Sequence, residues 1–305
     1  DRDRNLPRAP STRMGYLMAS HTILGGTRRK RRPNRLRFFS NYFVLTLLTI
    51  FALGPLVILG FNSLKGRAEI GRNPLGFPRQ FLWQNYPDAW KVGNFSTTIQ
   101  NSGILVGITV VGVLVLGGIA AYSLAKLNMP GSGIVMLYLL IGSSLPIQLF
   151  LVPLFFLWQK LGLVNNLPGL SLIYIAINAP LAIFLLRSYV VQLPSDFEDA
   201  ARVDGANEWK IFTQIIIPLS WPGFLTVGLV VSLSVWNEFL LATVFLTDQS
   251  KFTVVTSYYN FTSRFSRDWG LTSAAAMMMI VPIIVIFLSL QRKFVEGLTQ
   301  GGLKG

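Results

Sequence analysis

The chain has 305 residues, of which 51% are hydrophobic and only 13% charged, with 27 Lys and Arg against 13 Asp and Glu. A soluble chain of this size carries about 25% charged residues, so lipid is expected to be part of its solvent. The absence of cysteine excludes disulfides and thiolate metal sites, and the single His21 has no companion ligand, so no metal and no cofactor is expected to bind this chain.

Residues 1–38 form a basic tail. Eleven of the basic residues lie in the first 41 positions, among them Arg28, Arg29, Lys30, Arg31 and Arg32. Such a run could suit nucleic acid, but it leads straight into an apolar stretch, and a basic flank fixes a helix start in the cytoplasm. No nucleic-acid partner is therefore expected. The tail's composition cannot build a core, so it is expected to be disordered. The chain begins with Asp1 rather than Met, and its first residues are read as a processing or expression remnant.

Residues 39–98 hold a first span, about Phe39 to Phe61, and an external segment rich in aromatics (Phe77, Phe81, Trp83, Tyr86, Trp90) suited to the headgroup level. Residues 99–291 supply five more spans. The second covers about Asn101 to Leu124, where Gly103 with Gly107 and Gly117 with Ala121 make small-xxx-small pairs for close packing. The third, about Ile134 to Trp158, contains Pro146 and Pro153 and is expected to kink or break. The fourth runs from about Leu170 to Leu186, the fifth from about Gly223 to Leu246, and the sixth from about Ser273 to Leu290, before a C-terminal tail at 292–305. With the N-terminus inside, the inner segments carry eighteen Lys and Arg and the outer ones nine, which places both termini in the cytoplasm. The tail decides that count.

The polar segment 188–220, between spans four and five, is the most informative. Ser195 followed by Glu198 reads as a capping box, with a helix beginning at Asp196. Phe197, Ala200 and Ala201 share one face of it. Asp204-Gly205 supplies a break, since glycine tolerates a left-handed turn. A second helix places Trp209, Phe212, Thr213 and Ile216 on one stripe and ends at Pro218. The result is either a compact knob for a partner protein or a loop that joins two spans.

The segment resembles the EAA motif of binding-protein-dependent ABC importer permeases, which is Glu-Ala-Ala, three residues, Gly, nine residues, Ile-x-Leu-Pro. Asp199-Ala200-Ala201, Gly205 and Ile215-Ile216-Ile217-Pro218 keep the whole 20-residue spacing, with Asp199 for Glu and Ile217 for Leu. Leu145-Pro146, Val152-Pro153-Leu154, Leu161 to Asn166, Phe184 to Arg187, Trp236-Asn237-Glu238 and Gly297 to Gly305 are similar to the smaller, maltose-type permeases of the carbohydrate branch. The resemblance covers roughly residues 40 to 305.

This resemblance implies an all-α, six-transmembrane-helix type I importer permease fold with a cytoplasmic coupling helix. It implies a second permease subunit as heterodimer partner, two ATPase subunits and an extracytoplasmic binding protein. Glu198, Asp199, Ala200, Ala201, Asp204, Gly205, Ala206, Trp209, Phe212 and Pro218 would couple to the ATPase. The chain has no Gly-x-x-x-x-Gly-Lys-Ser/Thr run, so ATP hydrolysis is expected on separate chains and none on this one.

Glu238 is the one acidic residue inside a predicted span. Charge at membrane depth usually faces a cavity or a partner. Trp236, Asn237 and Glu238 therefore read either as part of a sugar path or as a clamp between helices. The outer segments are net positive by five, which would suit an acidic binding protein or an acidic sugar. An ion-coupled secondary transporter would need more intramembrane charge than Glu238. A basic-tailed membrane scaffold would leave the knob without a use.

Overall fold

The computed structural model describes residues 35–302, with side chains from Tyr42 to Ser289 and at Gln291. The basic tail of 1–34, and the last residues of the chain, lie outside the described residues. The chain divides into two units, 1–53 and 54–305, and the boundary falls within the first helix, α1 (Arg35–Ser63). The described part of the first unit is a helical stretch whose side chains from Tyr42 onward are exposed.

In the second unit, α2 (Arg67–Arg72) and α3 (Asn85–Val92) precede the long α4 (Phe95–Lys126). Next come α5 (Ser132–Ser144), α6 (Leu151–Lys160) and α7 (Leu167–Val191). Three short pieces, α8 (Asp196–Val203), α9 (Glu208–Ile211) and α10 (Ile217–Leu219), lead to α11 (Trp221–Trp236). Finally α12 (Leu240–Phe245) and α13 (Val254–Arg264) precede α14 (Trp269–Gly302). No strand occurs among the described residues.

Four helical stretches are long and apolar enough to cross a membrane: Tyr42–Ser63, Phe95–Lys126, Leu167–Val191 and Trp269–Ser289. Two more spans arise if bent pairs are each counted as one. Ser132–Ser144 meets Ile147–Lys160 at 85°, and Glu208–Leu219 meets Trp221–Trp236 at 78°. The third expected span is thus broken, at Leu145-Pro146. Pro153 produces no kink, because it lies in the first turn of α6, where the backbone N–H has no partner within the helix anyway.

The core is built on α4 against α7 and α11. Leu105, Val113 and Ala121 of α4 meet Leu170, Tyr174, Ala182 and Leu186 of α7 and Phe224, Val227 and Val231 of α11. Gly117 lets the backbones approach, since a Cβ there would touch the Ala182 methyl at 3.5 Å. Gly103 and Gly107 face away from every neighbour in this chain, so only the second of the two small-residue pairs packs internally. A second cluster joins Ala89 of α3, Phe95, Trp236, Val254 and Phe261 to Ala274 and Ala275 of α14.

The fifth expected span is divided as well. α11 ends at Trp236 and α12 starts at Leu240, because the Glu238 carboxylate takes the first free N–H groups of α12. The polar stretch 247–272, between the fifth and sixth expected spans, contains a further helix, α13. Between α2 and α3 the aromatics form a ladder of ring contacts, Phe61–Phe77 at 5.2 Å, Phe77–Phe81 at 5.5 Å and Phe81–Trp83 at 6.4 Å. The Leu161 to Asn166 segment is a joint. Asn166 caps α7 by accepting from the Gly169 N–H at 3.0 Å, and Asn165 Oδ1 accepts the N–H groups of Thr247 at 2.6 Å and Asp248 at 3.0 Å.

Candidate functional site

The α8–α9 pair is mounted on the end of α4. α8 begins at Asp196, as the sequence suggested, but not by the expected capping box. Ser195 is already helical (φ −66°, ψ −21°) and its hydroxyl makes no capping bond. Glu198 turns inward instead. It is 2% exposed, and its Oε1 lies 2.8 Å from Lys126 Nζ at the C-terminal end of α4. An ammonium stabilises a buried carboxylate more than a single backbone N–H does, and so the side chain leaves the capping position. Lys126 Nζ also donates to the Leu193 carbonyl at 2.7 Å, which ties the chain entering α8 to the same point.

A second tie comes from Tyr122, whose hydroxyl donates to Glu208 Oε2. Its ring lies 5.5 Å from that of Phe212. Arg202 bridges the two short helices, with Nη1 3.0 Å from Asp199 Oδ1 and Nε 2.9 Å from Glu208 Oε1. The hydrogen bond to Glu208 holds the Arg202 guanidinium above its ordinary, already high pKa, so it stays charged throughout the physiological range. Beneath these polar ties lies a small core of Tyr122, Val190, Ile211, Phe212 and Ile216, against which Ala201 and Ala206 pack.

The sequence-predicted residues therefore divide into two groups. Glu198, Ala201, Ala206 and Phe212 face inward and hold the pair to α4. Asp199, Ala200, Asp204, Gly205, Trp209 and Pro218 are on the outer surface. The expected stripe is thus split, with Phe212 and Ile216 buried and Trp209 60% exposed. Phe197 is 52% and Val203 88% exposed, so three large apolar side chains stand bare on the pair. Gly205 adopts φ +80°, and nothing lies within 4 Å of where its Cβ would be. The turn needs glycine for its backbone and leaves open space outside it.

The sequence reading missed Tyr122, Lys126 and Val203. Val203 carried a local signal, an apolar residue ending a helix otherwise polar on that side. The other two are paired with residues more than seventy positions away, and no local pattern marks such a pairing.

Trp236, Asn237 and Glu238 sit at the break between α11 and α12. Trp236 is buried and its Nε1 donates to the Met279 carbonyl at 3.3 Å. Asn237 is exposed, with Nδ2 donating to the Leu233 carbonyl at 2.8 Å. The Glu238 carboxylate accepts from Leu241 N at 2.8 Å and Ala242 N at 3.0 Å, and from the Tyr174 hydroxyl at 2.6 Å. Glu238 thus ties α7 to the start of α12.

Among the described residues, no group of three or more His, Cys, Asp or Glu side chains is placed to hold a metal ion.

Residues 113–299 match the family described as "Binding-protein-dependent transport system inner membrane component". The diacetylchitobiose uptake system permease protein NgcG of Streptomyces coelicolor is 33% identical over 263 residues, which cover 86% of this chain and 87% of that protein. The trehalose transport system permease protein SugB of Mycobacterium tuberculosis is 36% identical over 267 residues, covering 85% and 95%. A chain from a bacterial ABC transporter involved in the import of the acidic polysaccharide alginate shares the fold, with a TM-score of 0.74 at 24% identity over 86% of this chain and 98% of that one. The family match covers more than half of the sequence and the relatives match over most of their own length, and so the chain belongs to the inner membrane components of binding-protein-dependent transport systems, multi-pass permeases rather than enzymes.

Proposed function

We propose that this permease is one of two transmembrane subunits of an ATP-driven importer. It takes a sugar or oligosaccharide from an external binding protein, and two ATPase subunits press on the α8–α9 pair. The observation that carries this reading is the construction of that pair. Its inner side is locked to α4 by the Lys126–Glu198 ion pair and the Tyr122–Glu208 hydrogen bond, while Phe197, Val203 and Trp209 stand bare outside. A rigid lever with an apolar outer end is what transmission of a push from another protein requires. Carbohydrate cargo is supported by the relatives, which are named for diacetylchitobiose and trehalose uptake.

An ion-coupled mechanism fits less well. Such a carrier needs an intramembrane charge free to exchange, and the Glu238 carboxylate is engaged by three donors. A scaffold would have no use for the α8–α9 mount. The test is to purify the complex, identify the co-purifying chains, and reconstitute it with its binding protein. ATPase subunits and uptake of labelled oligosaccharide that vanadate abolishes are expected. Uptake that follows an ion gradient and ignores vanadate would overturn the proposal.

A further inference from the structure

The charges at the two ends of α4 are treated differently. The ion pairs among the described residues, those of Lys126 and Arg202, all lie in the α8–α9 mount. At the other end, Lys65, Arg67 and Arg267 have no carboxylate partner among the described residues. Lys65 is 0% exposed, yet its Nζ donates only to Asn62 Oδ1 at 3.1 Å and the Asn73 carbonyl at 2.9 Å. Both acceptors are neutral. The nearby acids are occupied elsewhere, Glu69 by the Arg79 N–H and Asp268 by the Leu271 N–H.

Asn62, which holds Lys65, also lines a cavity of about 620 Å³ together with Arg67, Ser266, Arg267, Trp269 and Ser273. The floor is fixed. Asn85 donates to the carbonyls of Ser63 at 2.9 Å and Lys65 at 3.1 Å, and Gly270 packs so closely that a Cβ there would lie 2.2 Å from the Lys65 oxygen. The α1 carbonyls offset part of the Lys65 charge, as helix ends do. Arg67 and Arg267 are exposed where they border the cavity, and neither meets a carboxylate among the described residues.

We infer that this cavity binds a saccharide bearing a carboxylate, with Arg67 and Arg267 as its anion-binding residues. The inference rests on the importer reading above and narrows its cargo. Guanidinium forks fit carboxylates by paired hydrogen bonds. One carboxylate uses one fork. The remaining Asn62, Ser266 and Ser273 groups suit hydroxyls, and the exposed Trp269 indole offers a flat apolar face to a sugar ring. The volume is within the range of small-ligand sites. Lys65 adds positive potential from behind without meeting the ligand.

The experiment titrates the purified complex, in nanodiscs and without its binding protein, with a (1→4)-linked diuronate and with the same disaccharide reduced at both carboxyls. Saturable binding of the diuronate is expected, about tenfold or more tighter than the neutral sugar and weakened by salt. Arg67→Gln with Arg267→Gln should remove that preference, and Trp269→Phe should weaken both sugars. Both arginines are exposed, so the variants should assemble, which co-elution of the complex in size-exclusion chromatography checks. Equal binding of the two sugars, or undiminished diuronate binding in the double variant, overturns the inference. So does a double variant that loses only docking of the binding protein, since the cavity would then be a protein contact. A complex that hydrolyses ATP and imports a neutral sugar, yet ignores the diuronate, keeps the importer reading and sinks this one.

Discussion

Gly205 is the residue on which coupling should turn most sharply. Its φ of +80° disfavours any side chain, while the open space outside it means that an alanine would meet no clash. Gly205→Ala should therefore cost about 1 kcal/mol of backbone strain and little else. Gly205→Asn should be milder, since asparagine visits this region readily. Gly205→Asp tolerates the turn nearly as well but adds a charge to the exposed surface of the pair. The purified Asp variant should keep its partner permease, hold the ATPase weakly and lose substrate-stimulated hydrolysis. Full ATPase retention in that variant would remove the pair from the coupling role. Lys126 makes the complementary case from inside. Lys126→Met strands the Glu198 carboxylate, with only Arg202 remaining at 3.6 Å. Breaking a buried pair costs about 3–5 kcal/mol, whereas Lys126→Met with Glu198→Leu should recover much of it. Limited proteolysis between α7 and α10 reads the difference. Equal protection in single and double variants would show that the ion pair does not hold the mount.

At the scale of elements, sequence and structure agree where burial in lipid dictates the pattern. Long apolar runs such as Phe95–Lys126 and Leu167–Val191 were legible because each position repeats the same demand. The breaks were only partly legible. Pro146 marks its own, since a missing N–H is a local fact. The break after Trp236 depends on Glu238 reaching Leu241, Ala242 and Tyr174, and the last of these lies in another helix. The capping box at Ser195 failed for the same reason, as a distant lysine outcompeted a local bond. For the candidate site, the turn at Gly205 was legible and the inward or outward direction of each side chain was not. Glu238 itself gives a measurable consequence. Its carboxylate has four-fold acceptor capacity, and Glu238→Gln puts an amide donor where one oxygen now accepts. About 1–3 kcal/mol should be lost in Glu238→Gln and more in Glu238→Ala, seen as a lower melting temperature of the detergent-solubilised complex. As a clamp, Glu238→Gln should keep the KM for uptake near wild type. A raised KM with unchanged melting temperature would assign Glu238 to the sugar path instead.

For the whole molecule, α4 fixes which features must lie on opposite sides of the membrane. Its 32 residues extend about 48 Å at 1.5 Å each, well beyond a hydrocarbon core of roughly 30 Å. Its two ends therefore emerge on different faces. The Lys126 end carries α8–α9, through Glu198 and Tyr122. The Phe95 end meets α3 and the stretch before α13, where Asn101 Nδ2 donates to the Ser250 and Phe252 carbonyls at 2.9 and 3.0 Å and the Ser257 hydroxyl donates to the Gly93 carbonyl at 2.7 Å. The structure separates these two groups and leaves their sidedness to charge. The eleven basic residues ahead of the first span predict a cytoplasmic N-terminus, and counting spans from there predicts α8–α9 on that same side. The chain has no cysteine, so single cysteines report cleanly. Leu75→Cys, 70% exposed between α2 and α3, should react with an impermeant maleimide in intact cells. Asp204→Cys should react only after the cells are opened. The reverse pattern would turn the molecule over and place the α8–α9 pair where no ATPase could reach it. Reaction of both positions in intact cells would mean that α4 does not span the bilayer.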